Sequence, residues 1–442
     1  MRAFIETIKN IFKIEELRTR ILYTLGIILV YRLGSFIVLP GIDPDALAGL
    51  KEQTASGVMG LLDMFSGGAF SNASVFGLGI MPYISASIVI QLLGIAVPYF
   101  QRLQKEGESG RRKVNQITRY LTVVILLLQA PAYIANLRAQ APEAFAPALN
   151  QLAAIIILTG GTMFVMWLGE KITDKGIGNG ISLIIMIGII ARFPFAFIAE
   201  FSARLEQQGG GLVAFLVEIV FLFFVFMATI LLVQGTRRIP VQYAKRIVGN
   251  KQYGGVRQYI PLKVNAAGVM PIIFAQALMF IPITVAGFAN SETLTGFAAA
   301  FSTTTGFWYN FVFAILIILF TYFYTAITIN PMQMAEDMKK NGGFIPGIKP
   351  GRKTVEFLDT IMSRITLPGS IFLAFVAIMP AFAIIAGVNS AFAQFYGGTS
   401  LLILVGVVLD TLQQIESHLL MRHYDGLMKS GRIKGRSGAA SV

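Results

Sequence analysis

Cysteine is absent from the 442 residues and histidine occurs twice. The first absence rules out a disulfide framework. The two histidines, His418 and His423, have no cysteine or carboxylate cluster beside them. They read as interfacial polar residues, not as metal ligands. Also missing are a phosphate-cradling loop ending in Gly-Lys-Ser/Thr, a His-Glu-x-x-His pair and a Gly-x-Ser-x-Gly elbow. Nothing in the chain points to hydrolysis of a nucleotide or a peptide, and we read it as not an enzyme and without a cofactor. Charge is scarce as well, at 13% of residues against 55% apolar ones, with a mean hydropathy of +0.69. A soluble domain of this size would not tolerate that balance.

What is present is a series of apolar runs, each close to the ~20 residues that cross a bilayer as a helix. They are Thr19 to Leu39, Phe76 to Val97, Leu121 to Leu137, Leu152 to Leu168, Ile181 to Ile198, Leu212 to Val233, Gly268 to Phe288, Phe311 to Ile329, Ile365 to Ala386 and Leu401 to Leu420. The composition and the runs predict an all-α polytopic membrane protein of about ten helices. Residues 1–18 have apolar side chains at helical spacing among cations, which suits an interfacial helix better than a cleaved signal.

Lysine and arginine set the orientation. The connection after the second run holds Arg102, Lys105, Arg111, Arg112, Lys113 and Arg119, and the one after the sixth holds seven more cations. Alternate connections are nearly bare, so the cation-rich ones and both termini are expected to face the cytoplasm. Five spans per half then give the second half the opposite sense to the first. That is the topology of an inverted repeat, with a site at the interface between the halves.

Within the spans, Arg32 and Asp410 are the clearest ionisable residues. They are read as lying near helix ends or pairing locally. A secondary transporter for a small solute fits the inverted topology and a glycine-broken segment. Scarce intramembrane charge argues against it, because ion coupling uses such groups.

The broken segment is "GLLDMFSGGAFSNASV", Gly60 to Val75. It is too short and glycine-rich to span, yet too apolar for a free loop. A short helix folded back into the protein fits both facts, since irregular backbone at membrane depth needs protein or an aqueous cavity around it. The next run carries Pro82, Ser85, Ser87 and Gln91 on an otherwise apolar segment. Small polar residues also suit close helix packing, and composition does not decide between a gate and a packing surface.

The residues "MFSGGAFSNASVFGLGIMPYISASIVIQLL" resemble the SecY family of protein-conducting channels. So do "KEGESGRRKVNQITRY", "TGGTMFVMWLGEKITDKGIGNGISLII", "IPLKVNAAGVMPIIFA", "FYTA", "NGGFIPGIKPG" and "YGGTSLLI", in order along the chain. The resemblance implies two inverted halves of five helices, 19–200 and 212–420, joined by an external connection at 201–211 and closing like a clamshell on an hourglass pore. A tail follows at 421–442. It implies a plug at 58–72 with Leu61, Leu62, Met64, Phe65, Gly67, Gly68 and Phe70. It also implies a pore ring of Ile80, Ile84, Ile181, Ile185, Ile273 and Ile403. A ring of stiff β-branched side chains without polar atoms closes around any extended chain and resists ions. Ser85, Ser87, Gln91 and Asn265 are expected to hold a lateral gate.

The same resemblance implies passage of unfolded polypeptides across the cytoplasmic membrane, with release of transmembrane segments into lipid. Its implied partners are small subunits like SecE and SecG, the motor ATPase SecA, the ribosome, signal peptides and preproteins, and anionic lipids. Docking is expected on the loops at 234–264 and 330–364. The cations concerned are Arg237, Arg238, Lys245, Arg246, Lys251, Arg257, Lys349, Arg352 and Lys353. Cations of this density suit phosphate contacts to ribosomal RNA. Ile260, Leu262 and Val264 alternate as in a strand and a Gly-Asn turn precedes them. Pro240 is expected to interrupt any central strand there. Lys349 stands where the family commonly has arginine, and lysine lacks the planar fork for a bidentate contact.

Overall fold

The computed structural model describes residues 14–44, 47, 60, 63–140, 142–145, 151–206, 211–243, 246–248, 251–253, 257–276, 278–279 and 305–430. Leu61, Leu62 and Lys245 lie outside these residues, as does the second half of the run from Gly268 to Phe288. The helices are α1 (Glu15–Gly34), α2 (Met81–Ala96), α3 (Pro98–Lys105), α4 (Glu108–Gln140), α5 (Gln151–Lys175), α6 (Gly180–Glu206), α7 (Gly211–Gln234), α8 (Phe307–Thr328), α9 (Pro331–Lys340), α10 (Arg352–Ile385), α11 (Ser390–Ala393) and α12 (Gly398–Ser430). Five strands lie between α7 and α10: β1 (Thr236–Tyr243), β2 (Arg246–Val248), β3 (Lys251–Tyr253), β4 (Arg257–Lys263) and β5 (Gly343–Phe344).

Seven helices among the described residues are long and apolar enough to cross a membrane: α4 to α8, α10 and α12. The chain is therefore a multi-pass membrane protein. Two more of the ten expected runs are α1 and α2, and residues 270–276 begin the remaining one as helix. Leucines 22, 25, 29 and 33 of α1 are exposed, as a lipid-facing or partner-facing stripe requires. Helix α1 starts at Glu15, four residues before the expected span and inside the expected interfacial segment. Helix α10 likewise starts at Arg352, so part of the expected loop at 330–364 is already helix.

Two local rules set the unusual length of α2. It has 16 residues, about 24 Å at the helical rise, because turns occupy the chain up to Ile80. Val97 then takes the extended conformation forced on a residue before proline, and Pro98 opens α3 at its first turn. Buried hydroxyls in the spans need partners too. Thr122, Thr229 and Thr321 each donate to the carbonyl four residues back, at 2.7, 2.8 and 2.6 Å, which satisfies them within their own helix.

The strands form one sheet in the order β4, β1, β5, and a separate hairpin pairs β2 with β3. Ile239, Val241 and Leu262 from the sheet pack with Ala335 and Met338 of α9, Ile345, and Leu358 and Met362 of α10. The two expected docking loops are thus one folded body. Asn330 caps α9, its side chain accepting from the backbone N–H of Met332 and Gln333 at 3.1 and 3.3 Å.

Pro240 corrects the expectation of an interrupted strand: it sits inside β1, the middle strand, opposite Tyr259 of β4. The reason is the short reach of β5, which pairs only with Gln242 and Tyr243. At Pro240 the strand is an edge on that side. Pro261 of β4 faces Arg238, two positions away in the same register. Both prolines therefore share one class of pair, and the non-hydrogen-bonded class accommodates a residue with no N–H. Leu262 is buried and Ile260 half-buried as the alternation predicts, while Val264 lies just past the end of β4.

Candidate functional site

Four separate parts of the chain deliver the six isoleucines. Ile80 caps α2 and Ile84 follows one turn on, its N–H donating to the Ile80 carbonyl at 3.1 Å. Ile181 and Ile185 lie one turn apart at the start of α6. Ile273 is in the helical residues 270–276 and Ile403 is in the second turn of α12. All six belong to one apolar cluster: Ile80, Ile185 and Ile403 are buried in it, and Ile84, Ile181 and Ile273 pack partly buried against it. Met64, Phe65 and Ala69 of the glycine-rich segment are buried in the same cluster. The sequence contains these residues far apart; the fold brings them to one place.

The glycine-rich segment carries only part of the short helix expected within Gly60 to Val75. Helix ends at Phe65 and turns follow from Ser66 to Ile80. Gly67 N–H donates to the Met64 carbonyl at 3.1 Å and Gly68 N–H to the Asp63 carbonyl at 2.9 Å. With Gly67 at φ +65°, this is the Schellman way of ending a helix, in which glycine takes the left-handed position. Gly68 follows at φ +92°, a second conformation that side chains resist.

Turn backbone has free carbonyls, and at membrane depth each needs a donor. Side chains of the surrounding helices supply them. Tyr31 of α1 donates its hydroxyl to Ser66 O at 3.1 Å, and Arg32 donates to Gly67 O at 2.9 Å. Tyr133 of α4 donates to Phe70 O at 2.8 Å. From α6, Arg192 donates to Ser71 Oγ at 2.8 Å and ion-pairs with Asp63 Oδ2. The other Asp63 oxygen, Oδ1, accepts from Ser71 N–H at 2.8 Å, closing the segment on itself. Close packing adds to this. A side chain at Gly188 of α6 would come within 2.8 Å of Phe65 O and 3.1 Å of Gly67 N, so two backbones meet at that notch.

Among the described residues, no hydrogen bond joins the four expected gate residues to one another. Ser85 donates to Met81 O of its own helix at 3.1 Å, and Ser87 is half-buried on the same helix. Gln91 Oε1 and Asn265 Oδ1 are buried and have no hydrogen-bond partner among the described residues. Of the expected docking cations, Arg237, Arg238, Lys349, Arg352 and Lys353 are exposed. Arg352 and Lys353 share Glu356 at 3.5 and 3.0 Å, which removes part of their charge from the surface. Arg246, Lys251 and Arg257 lie on β2, β3 and β4.

Reading the sequence missed Arg192, Asp63, Tyr31, Tyr133 and Gly188. Arg192 was detectable: it is the sole ionisable residue in the run Ile181 to Ile198, and such a charge marks a functional position by default. Arg32 lies in the last turn of α1, as one of its two readings expected, and from there it reaches a carbonyl 35 residues away. Asp410 is exposed on α12. A second charged cluster, also unforeseen, joins α6, α7 and the chain before α11. Arg204 donates to Glu200 Oε1 at 2.8 Å, to Gly387 O at 2.8 Å and to Glu218 Oε1. Glu200 Oε2 accepts from Asn389 N–H at 2.8 Å, and Tyr396 donates to the Glu218 carbonyl at 2.9 Å. Burial raises the Tyr396 phenol above its ordinary pKa, so it remains a donor at neutral pH.

Known proteins resemble the chain as a whole. The family model SecY matches residues 74–412. A protein translocase subunit SecY from Streptomyces scabiei is 44% identical over 438 residues, covering 95% of this chain and 98% of the relative. Among solved structures, one of SecY, described by a plug domain that stabilises the closed state and maintains a membrane seal, has a TM-score of 0.62. It is 19% identical and covers 92% of this chain and 94% of that one. Sec61 in a canine ribosome–channel complex has a TM-score of 0.58 at 17% identity, with the same coverage. Near full-length identity to SecY subunits, on a fold shared with Sec channels, establishes that the chain belongs to the SecY family of protein-conducting channel subunits.

Proposed function

We propose that this channel passes unfolded polypeptides through the isoleucine cluster and that the segment 58–72 is its plug. The observation that carries the reading is the meeting of all six isoleucines with Met64, Phe65 and Ala69 in one apolar cluster. A waist of that composition excludes ions by offering them no polar partner, and it reads no sequence in its cargo. A signal peptide inserted at the seam beside α2 favours the open state by the difference between its affinities for the open and closed forms. The unpartnered Gln91 and Asn265 oxygens suit a gate held loosely enough to part. Longer apolar segments then leave sideways into lipid.

The folded body of β1, β4, β5, α9 and α10 is the docking platform in this reading, facing the cytoplasm with both termini. Its exposed cations suit ribosomal RNA and the motor ATPase SecA, and a ribosome is present with the related Sec61. Small subunits like SecE and SecG and anionic lipids of the inner membrane complete the assembly. The test is ion conductance in a planar bilayer, comparing the wild-type chain and its copurifying subunits with a variant lacking residues 58–72. Large fluctuating currents in the deletion alone are expected. Equal small currents in both would remove the plug from this account.

A further inference from the structure

The plug is held by a polar contact that a seal of apolar side chains does not need. We propose that Arg192 and Asp63 form a latch whose strength sets how effective a signal peptide must be to open the channel. This rests on the plug reading above and adds to it the residues that decide stringency.

Three features separate the latch from ordinary packing. First, Arg192 joins the plug to α6 at both ends of the turn, through Asp63 and through Ser71. Pulling the plug away breaks both contacts together. Second, the turn is pressed against the guanidinium. A side chain on Gly68 would lie 3.1 Å from its central carbon, so the plug cannot keep the latch and move. Third, one member of the pair keeps contact with water: the Arg192 side chain is 32% exposed, while that of Asp63 is buried at 9%. Water can therefore take over the released Arg192 charge, which makes the latch reversible.

Arg32 donates to the Gly67 carbonyl, while Arg192 lies against the next residue, Gly68, so two cations meet adjacent residues of one turn. Asp63 is the carboxylate paired with Arg192, so neutralising it leaves that cation without its counter-charge on the turn. The plug's own fold should survive that change, because an asparagine at position 63 still accepts from Ser71 N–H through Oδ1. Asp63 is thus a positioning residue whose charge is separable from its role in folding the turn.

The experiment measures two readouts in parallel on the full chain with its copurifying subunits: spontaneous openings in a planar bilayer, and export of a reporter whose signal has a shortened apolar core. The variants are Asp63→Asn, Arg192→Gln and Arg192→Lys, with the deletion of 58–72 as reference. Asp63→Asn and Arg192→Gln are expected to open on the order of fivefold more often, the upper range for a partly exposed pair, and to export the defective reporter. Arg192→Lys keeps the charge and should stay near wild type. If a variant fails to assemble, Ser71→Ala removes one Arg192 contact while keeping the backbone bond to Asp63, and should show a smaller increase. Currents in the deletion with wild-type behaviour in both Asp63→Asn and Arg192→Gln would overturn the latch and leave the plug standing. A silent deletion would overturn both.

Discussion

Two arginines of α6 illustrate opposite uses of the same chemistry. Arg204 is 11% exposed and meets Glu200 and Glu218, whose side chains are 1% and 12% exposed. Arg192, three helical turns away, is 32% exposed and meets one carboxylate. Removing a partner from a buried pair leaves an uncompensated charge in a poor solvent, whereas the exposed part of Arg192 lets water take over some of its charge, although Asp63 itself is buried at 9%. The first arrangement therefore fixes α6 against α7 and the chain before α11. The second holds the segment proposed as the plug. Position relative to water, not the type of residue, decides which contact is a joint and which a catch.

The comparison can be broken at either end. Arg204→Ala should have the largest effect, about 3–5 kcal/mol of stability, seen as a lowered thermal midpoint of the purified protein. A midpoint matching that of Arg192→Gln would abolish the distinction between the two sites. Gly188→Ala is next. The added carbon would meet Phe65 O at 2.8 Å, and since backbone must give way, the plug should be displaced at a cost of about 1–3 kcal/mol. More frequent channel openings with an unchanged thermal midpoint would show that the plug alone moved. The smallest change is Tyr133→Phe, which leaves the Phe70 carbonyl without its 2.8 Å donor. About 1 kcal/mol is expected, detected as faster hydrogen exchange or protease nicking in 63–75. Unaltered protection there would mean that apolar packing, not these donors, seats the plug.

Much of the fold was legible because membrane burial imposes a one-dimensional signal. A run of apolar residues must be a helix, since no other open backbone is satisfied in lipid, and seven described helices fall on such runs. Lengths were less legible. Helix α10 starts at Arg352 because helical geometry continues beyond the lipid wherever capping and packing allow, here against the sheet body through Leu358 and Met362. Pro240 was misjudged because its cost depends on whether a neighbouring strand reaches that residue, and β5 stops two positions short. The glycine-rich segment was recognised as broken, but not that its helix ends at Phe65, which depends on the left-handed geometry of Gly67.

The sequence by itself determined that the chain lies in a membrane, that it has no cysteine, where its apolar runs fall and which family its motifs resemble. Each of these follows from composition or from contiguous residues. The tertiary structure alone decided that isoleucines from four parts of the chain share one cluster, that Arg192 finds Asp63 and Ser71, and that Arg204 is shared by two glutamates. Those contacts join groups brought together by helix packing, Arg192 and Ser71 being 121 residues apart in the chain. Linear spacing holds no record of which helix faces which, and burial, which fixes the strength of each charge pair, exists only once the helices have packed.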